Sequence, residues 1–395
     1  MMAAAPLAVS EVASRSRLVL LITHMDQGGA QEALLRLARS LRARGHDVET
    51  WFLYEKSALY RNEERIRVVL PEKSPGALGY LRIVGRLYGL LKAHRPDAVI
   101  SFLPLANSFG QTVARVAGVR RRVASQRNPF WTYTPWMRRL DKLAGTLGCY
   151  TANVGNSQAV VDSFVDFPKA YRDRLSVVHN GIDWRPSSLD PAAARARFGL
   201  PADEPVILSI GRLAEQKNQS LLLRVLPSVS AGHLVLAGDG EDRAKLERLA
   251  ADLGIAHRVR FLGEVTRADV PDLLRAADIF AMPTLFEGQS NAVLEAMHAG
   301  LAIVSSDIPA QTETLGGPGN GQGQGAAGLL LPLDDDGAWA AALDTLVRDP
   351  AARADLAARA LARADLFTVD RMTDGFERLV DTSAPEGRVY RPQPG

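Results

Sequence analysis

The chain has 395 residues, more than one hydrophobic core usually serves and enough for two. Hydrophobic residues make up 47% and charged residues 23%, which excludes a disordered chain. The single cysteine, Cys149, excludes an intrachain disulfide framework and points to a reducing compartment.

The formal net charge of +3 is unevenly placed. Residues 1–185 carry 27 Lys and Arg against 15 Asp and Glu, and the remainder carries 20 against 29. A basic half joined to an acidic half implies that the first half faces something anionic. No apolar run approaches the roughly 18 to 20 residues that cross a bilayer. Residues 1–16 are short of apolar bulk, carry Glu11 and lack early basic residues, so they read as a loose tail and not as a secretory signal.

In chain order, Leu18 to Thr23 is an apolar run that predicts a buried strand. Gly28-Gly29 follows, then a helix over 30–44 with Leu34, Leu37, Ala38 and Leu41 on one face, closed by Gly45. Further strands are expected at 48–53, 98–102, 122–125, 152–154 and 176–178, with a helix over 78–93. The stretch 184–204 is rich in Pro and Ala without strand character, and the domain junction is placed there. Strands then follow at 206–210, 233–237, 259–262, 279–282 and 302–305, with helices over 218–226, 242–253 and 291–299. Such alternation predicts parallel sheets covered by helices. The expected division is 17–185 and 186–368, two Rossmann-like domains, with a helix over 369–382 returning to the first and a disordered tail at 383–395. The glycines of 316–325 lack GxGxxG spacing and read as a loop.

Four patterns in the second half follow strands. Gly211-Arg212, with Lys217 five residues after Arg212, offers a glycine turn and two cations for an anion; the alternative is surface cations on a loop. Gly238-Asp239-Gly240 reads as an ordinary tight turn. The stretch Phe286-Glu287-Gly288-Gln289-Ser290-Asn291-Ala292-Val293-Leu294-Glu295 holds two carboxylates eight positions apart, one on a loop and one on the first turns of a helix. Free N–H groups at that helix start suit a phosphate, and the carboxylates suit sugar hydroxyls. Ser305 to Pro309 is expected to border the cleft. In open α/β sheets ligands bind beyond the carboxyl ends of the strands, so these segments are expected to converge.

The stretches ILSIGRLAEQKN (207–218), VLAGDGED (235–242), VRFLGEV (259–265) and FEGQSNAVLEAMHAGLAIVSSD (286–307) resemble the donor domain of retaining GT-B glycosyltransferases of family GT4, the group 1 glycosyltransferases. The first half is similar through HMDQGGAQEALLRLA (24–38), GNSQAV (155–160) and VVHNGID (177–183). The resemblance implies a GT-B fold, two Rossmann-like domains facing across a cleft. It implies that Arg212 and Lys217 hold a donor diphosphate, and that Glu295 binds ribose hydroxyls. Glu287, Gly288, Gln289 and Ser290 would hold the sugar, and Ala292 and Val293 would offer N–H groups to phosphate. Val265 would lie near the base. Gly28, Gly29 and Gly211 would let the backbone approach the donor. Many relatives carry a His-Asp pair that touches the donor sugar; this chain has Ser125-Gln126-Arg127-Asn128-Pro129 instead. Arg127 is then either a sugar or acceptor contact or a structural arginine.

The resemblance implies transfer of a sugar from a nucleotide diphosphate, UDP foremost, with retention by front-face attack and no protein base. Glu287 as a covalent nucleophile is an alternative. No His-Glu-x-x-His motif appears and the seven histidines are scattered, so no metal or other cofactor is expected. The expected acceptor is a glycan or a polyprenyl-diphosphate-linked sugar in cell-surface polysaccharide, lipopolysaccharide or glycolipid synthesis. Arg115, Arg120 to Arg122, Arg138, Arg139 and Lys142 interleave with Phe130, Trp131, Tyr133 and Trp136. That mixture suits an anionic membrane surface, or it is a solvated basic face beside core aromatics. A cytoplasmic protein, peripheral at the inner face of the membrane, is expected, with no nucleic-acid partner. Two alternatives stay open: a GT-B-fold sugar-nucleotide epimerase, and an inactive nucleotide-sugar-binding protein.

Overall fold

The computed structural model describes residues 15–71, 76–317 and 326–381. Residues 1–14, most of the glycine-dense segment (318–325) and the expected tail at 383–395 lie outside the described residues. Ser16, expected in the loose tail, is instead anchored: its carbonyl accepts from Asp47 N at 3.0 Å and its N–H meets His46 Nδ1 at 3.3 Å.

The first half forms a seven-stranded parallel sheet of β1 (Arg17–Met25), β2 (Asp47–Glu55), β3 (Ile66–Leu70), β4 (Ala98–Phe102), β5 (Arg121–Gln126), β6 (Ala152–Gly155) and β7 (Leu175–Val177). Their order is β3-β2-β1-β4-β5-β6-β7. The second half forms a six-stranded sheet of β8 (Val206–Ile210), β9 (His233–Ala237), β10 (Val259–Gly263), β11 (Ile279–Met282), β12 (Ala302–Ser306) and β13 (Leu329–Leu331). Their order is β10-β9-β8-β11-β12-β13. Both sheets therefore reverse their strand order once, between β1 and β4 and between β8 and β11. Chain ends leave opposite faces at such a point, and a crevice opens beyond the carboxyl ends.

The central strands are almost wholly buried and mostly apolar because helices cover both faces. β4 is buried at all five positions, and so is β12. β3 and β13 were not foreseen. β3 is a half-exposed edge strand with Arg67 at its centre, and β13 is only three residues long. Neither gives a long apolar run, which is the signal that marked the others. The junction stretch 184–204 also holds a helix, Pro191–Phe198, capped by Asp190 accepting from Ala193 N at 2.8 Å.

The last described helix, Val369–Val380, crosses back to the first sheet. Met372, Phe376, Leu379 and Val380 recur at helical spacing, are all buried, and join the core of β1, β4 and the Gly29–Ala43 helix. Arg44 ties the same helix down through Asp370 (2.9 Å), Asp374 (2.5 Å) and Glu377 (2.7 Å). The two sheets are thereby connected twice by the chain. No helix among the described residues is long and apolar enough to cross a membrane.

Candidate functional site

A cavity of about 830 Å³ lies between the carboxyl ends of the two sheets, at their two reversal points. That size suits a small organic ligand. Its walls come from loops after β1, β2, β4, β5, β6 and β7 on one side and after β8, β9, β10 and β11 on the other. Two helix starts point into it. One is Gly29–Ala43, whose Gly28, Gly29 and Ala30 line the wall; the other is Asn291–His298, with Ser290, Asn291 and Ala292. Asn291 Nδ2 donates to Gly29 O at 2.9 Å and so joins the two starts. Each helix brings the positive end of its dipole and free N–H groups, so the cavity favours an anion.

Lys217 follows the loop that leaves β8. Asn218 takes a left-handed backbone, with φ of 51°, and turns the chain into the next helix. The Lys217 ammonium forms a close ion pair with Glu287 Oε1, and Thr284 Oγ1 lies 3.4 Å from the same oxygen. Both side chains are mostly buried, at 17% and 10% exposure, so the pair is held in place by its surroundings. Arg212 also lines the cavity, but its side chain is 61% exposed and its nearest carboxylate, Glu241, is 4.0 Å away. Its guanidinium is available to a ligand, whereas the Lys217 ammonium already has a partner.

Glu295 stands one turn into its helix and is buried. Arg267 Nη2 donates to it at 2.7 Å, and Arg36 Nη2 lies 3.9 Å away. Arg267 also reaches Glu32 in the first half at 3.3 Å, and Tyr60 Oη donates to Glu32 at 2.8 Å. Burial works against the charge on Arg267, but Glu295 and Glu32 outweigh it and hold its pKa above the ordinary value. Arg36 is the reverse case: burial dominates and lowers its pKa despite Glu295. This chain of charges crosses from one half to the other.

Arg127 lines the cavity at the end of β5 and is buried. Its guanidinium lies over the Phe102 ring at 4.5 Å and hydrogen-bonds to Asn180 Oδ1. Asn180 in turn donates its backbone N–H to Gln289 Oε1 at 2.7 Å and its amide to Gln289 O at 3.3 Å. The backbone here is packed so closely that a Cβ on Gly288 would collide with Arg127 O, so only glycine fits. Behind Arg127 a buried polar network fixes β5. Gln126 accepts from Tyr133 Oη at 2.9 Å and donates to Asp141 at 3.1 Å, and Asp141 accepts from Tyr150 (2.8 Å) and Tyr171 (2.5 Å). Burial raises the Asp141 carboxyl above its ordinary pKa, against those three hydrogen bonds.

The structure brings Gly28, Gly29, Gly211, Arg212, Lys217, Val265, Glu287, Gln289, Ser290, Ala292, Glu295 and Arg127 to one cavity. Gly288 sits between two of them, against Arg127. Val293 is different. It is fully buried in the second core, and its N–H points to Ser290 Oγ at 3.5 Å, the cap of its own helix. The Ser290 hydroxyl is engaged in that cap. Ser305 and Ser306 do not border the cavity either. They are fully buried and donate to Met282 O (3.0 Å) and Thr284 O (2.7 Å), which locks the strand end beneath Glu287. Gly238-Asp239-Gly240 lines the cavity, yet its glycines answer to backbone packing. A Cβ on Gly238 would strike Gly211 O, and φ there is 135°.

Sequence reasoning missed Glu32, Arg36, Asn180 and Arg267. Glu32 and Arg36 lie four apart on the helix after Gly28-Gly29, on the face that also carries buried Leu residues. Charges on an otherwise buried helical face were the available signal. Nothing local marked Arg267, whose partners lie 28 residues and 235 residues away in sequence.

Residues 191–363 match the model for the group 1 glycosyl transferases, and residues 27–184 match glycosyltransferase family 4. The lipopolysaccharide core biosynthesis glycosyltransferase LpsE of Rhizobium meliloti is 26% identical over 356 residues, covering 90% of this chain and 91% of that protein. The D-inositol 3-phosphate glycosyltransferase of Mycolicibacterium smegmatis is 31% identical over 249 residues, 60% of this chain; the alignment spans about half of that relative, 54%. Among solved structures, Anabaena Alr3699/HepE in complex with UDP and glucose superposes with a TM-score of 0.79 at 23% identity, over 93% of this chain and 100% of that one. Two facing parallel sheets with a shared cavity are the GT-B arrangement, and the chain belongs to the group 1 glycosyltransferases of that fold.

Proposed function

We propose that the protein transfers a sugar from a nucleotide diphosphate donor, a UDP-sugar, to a glycan or lipid-linked acceptor, with retention at the anomeric carbon. One observation carries this reading: segments scattered over the second half meet the Gly28-Gly29 helix start at one cavity rich in anion-binding groups. The UDP and glucose held by the Anabaena protein support the same donor class.

The chemistry follows from where charge develops. As the bond to the anomeric carbon breaks, negative charge builds on the departing diphosphate. Lys217 and the two helix starts are fixed around that volume, so they stabilise the charge without reorganising, and the exposed Arg212 adds a mobile cation at the rim. Glu287 holds the ammonium of Lys217 in place and presents a carboxylate to sugar hydroxyls. Glu295, flanked by Arg267 and Arg36, is set to accept from the ribose hydroxyls. Ala292 offers an N–H at the start of its helix, and Val265 gives an apolar surface for the base. The acceptor oxygen attacks from the face the diphosphate leaves, and the leaving phosphate takes the proton. Walls from both halves line the volume in which this step takes place.

The acceptor side carries a surface of its own. The Pro135–Thr146 helix exposes Trp136 (49%) and Leu143 (56%) with Arg139 and Lys142 between them, and Leu147 continues the stripe. The Ala77–His94 helix exposes Leu78 and Leu81 beside Arg82 and Arg86. Apolar tips among cations are the chemistry of a helix lying at an anionic membrane surface, where a polyprenyl-linked acceptor resides. A LpsE-like role in lipopolysaccharide or polysaccharide assembly fits that surface.

The test is nucleotide release from a panel of UDP- and GDP-sugars, with and without polyprenyl diphosphate sugars. Release of UDP that depends on acceptor, with an α-linked product from an α-linked donor, is the expected result. An inverted product removes retention, and an interconverted sugar nucleotide replaces transfer by epimerisation.

A further inference from the structure

Arg127 poses a problem of charge. It is buried, and an unpaired buried charge is costly. Guanidinium has five N–H donors in a fixed fork. Only Ser125 Oγ, at 3.4 Å, and Asn180 Oδ1 accept from it, and neither is charged. Nε has no partner. Among the described residues no carboxylate forms an ion pair with it. Burial, followed by the charge of a second cation, Arg36, pulls its pKa down to about 9 against a smaller opposing effect of Tyr133. The other cavity cations differ: Lys217 has Glu287, Arg267 has Glu32 and Glu295, and Arg212 and Lys56 are open to water.

Its scaffold is rigid. The Gln126–Asp141 network fixes the strand end before it, the Phe102 ring supports its face, and Asn180 connects it to Gln289. A side chain held this firmly, in a cavity wall, without a counter-charge, is a preorganised receptor for a planar or tetrahedral oxyanion.

We propose that Arg127 receives an oxyanion of the donor at the sugar end of the cavity, beside Gly288 and Gln289. Two groups of a nucleotide sugar carry that chemistry: a carboxylate on the transferred sugar, as in a hexuronate, and the β-phosphate. The inference rests on the nucleotide-sugar reading of the site and specifies what that site selects.

Direct binding separates the possibilities. Calorimetry with the full chain compares UMP, UDP, UDP-glucose, UDP-glucuronate and UDP-galacturonate on the wild type and on R127M and R127K. A charge-assisted contact removed from the site is expected to weaken binding by about 10-fold or more. If R127M loses affinity only for a uronate donor, the carboxylate is the ligand. If it loses affinity for UDP and every UDP-sugar but not for UMP, the β-phosphate is. Either result supports the proposal, and R127K is expected to recover part of the loss. Unchanged affinities for all five in R127M overturn it, and so does a loss of UMP binding equal to the rest. Thermal unfolding without donor is an independent readout. Removing an uncompensated charge for a methionine of similar length is expected to leave Tm unlowered, whereas a structural arginine would lower it. Failure of the wild type to bind any uridine or guanosine nucleotide removes the underlying donor reading instead.

Discussion

Removing Lys217 separates a structural ion pair from a catalytic one. Lys217 and Glu287 are 17% and 10% exposed, and their contact is direct. In K217A the Glu287 carboxylate stays buried with only Thr284 Oγ1, at 3.4 Å, near the orphaned oxygen. Breaking a buried pair on one side costs about 3–5 kcal/mol. The residual exposure places this pair at the lower end, about 3 kcal/mol. For a domain of this size that is a fall in Tm of roughly 6–12 °C. The double variant K217M/E287L removes both charges and fills the volume, so its Tm is expected within a few degrees of wild type. Activity behaves differently. Both variants lack the cation that the proposed reaction sets against the leaving diphosphate, so both are expected to lose about 10²-fold or more in turnover. The measurements are thermal unfolding without donor and initial rates of nucleotide release. A double variant that recovers activity along with Tm refutes the catalytic assignment, and a K217A protein with wild-type Tm refutes the buried pair.

Three further outcomes are expected. E32Q frees Arg267 from the first half while leaving its bond to Glu295, so the two halves should separate more readily: small-angle scattering should give a larger radius of gyration, and UDP affinity should fall by roughly 3- to 10-fold. Burial, followed by the charge of Lys56, lowers the His24 pKa from 6.5 to about 4. The unfolded imidazole therefore binds a proton that the folded one refuses between those values, and stability should drop as pH falls from 6.5 toward 4. His24 is only partly buried, so the loss after solvent screening is about 1–2 kcal/mol, and urea titrations of H24N should show a flatter profile across that window. Finally, the wild type should float with vesicles containing anionic lipid, less so at high salt, and W136S/L143S should reduce flotation without changing UDP binding; equal flotation of the variant would remove the membrane-facing role of that helix.

Much of the fold was legible because its signals are local. β4, β8, β9 and β11 were placed to the residue, since a short apolar run between turn residues is what a strand buried on both faces requires. β3 was missed for the converse reason: at the sheet edge only Val69 and Leu70 are buried, and Arg67 interrupts a short apolar run. The site divides the same way. Glu287 and Glu295 were readable because they share one loop and helix start. Arg267 and Glu32 meet across 235 residues, and no spacing rule connects them. Val293 was misjudged at the scale of one hydrogen bond: a helix start offers several free N–H groups, and the Ser290 side chain took that of Val293.

The charge asymmetry of the two halves gains a physical meaning from the structure. The cavity does not use the excess of the basic half: among the described residues, only Lys56 and Arg127 of that half's cations line it. Several of its cations lie on outward helices, where Arg139 and Lys142 alternate with Trp136 and Leu143, and Arg82 and Arg86 with Leu78 and Leu81. The acidic half, conversely, places its carboxylates beside its cations, so Glu287 and Glu295 pair with Lys217 and Arg267. In the proposed reaction that balance eases release of the product diphosphate, because cations already paired hold it less tightly than bare ones. Arg127 breaks the pattern. It is the buried cavity cation left without a carboxylate among the described residues, so the charge it lacks has to come from what binds there.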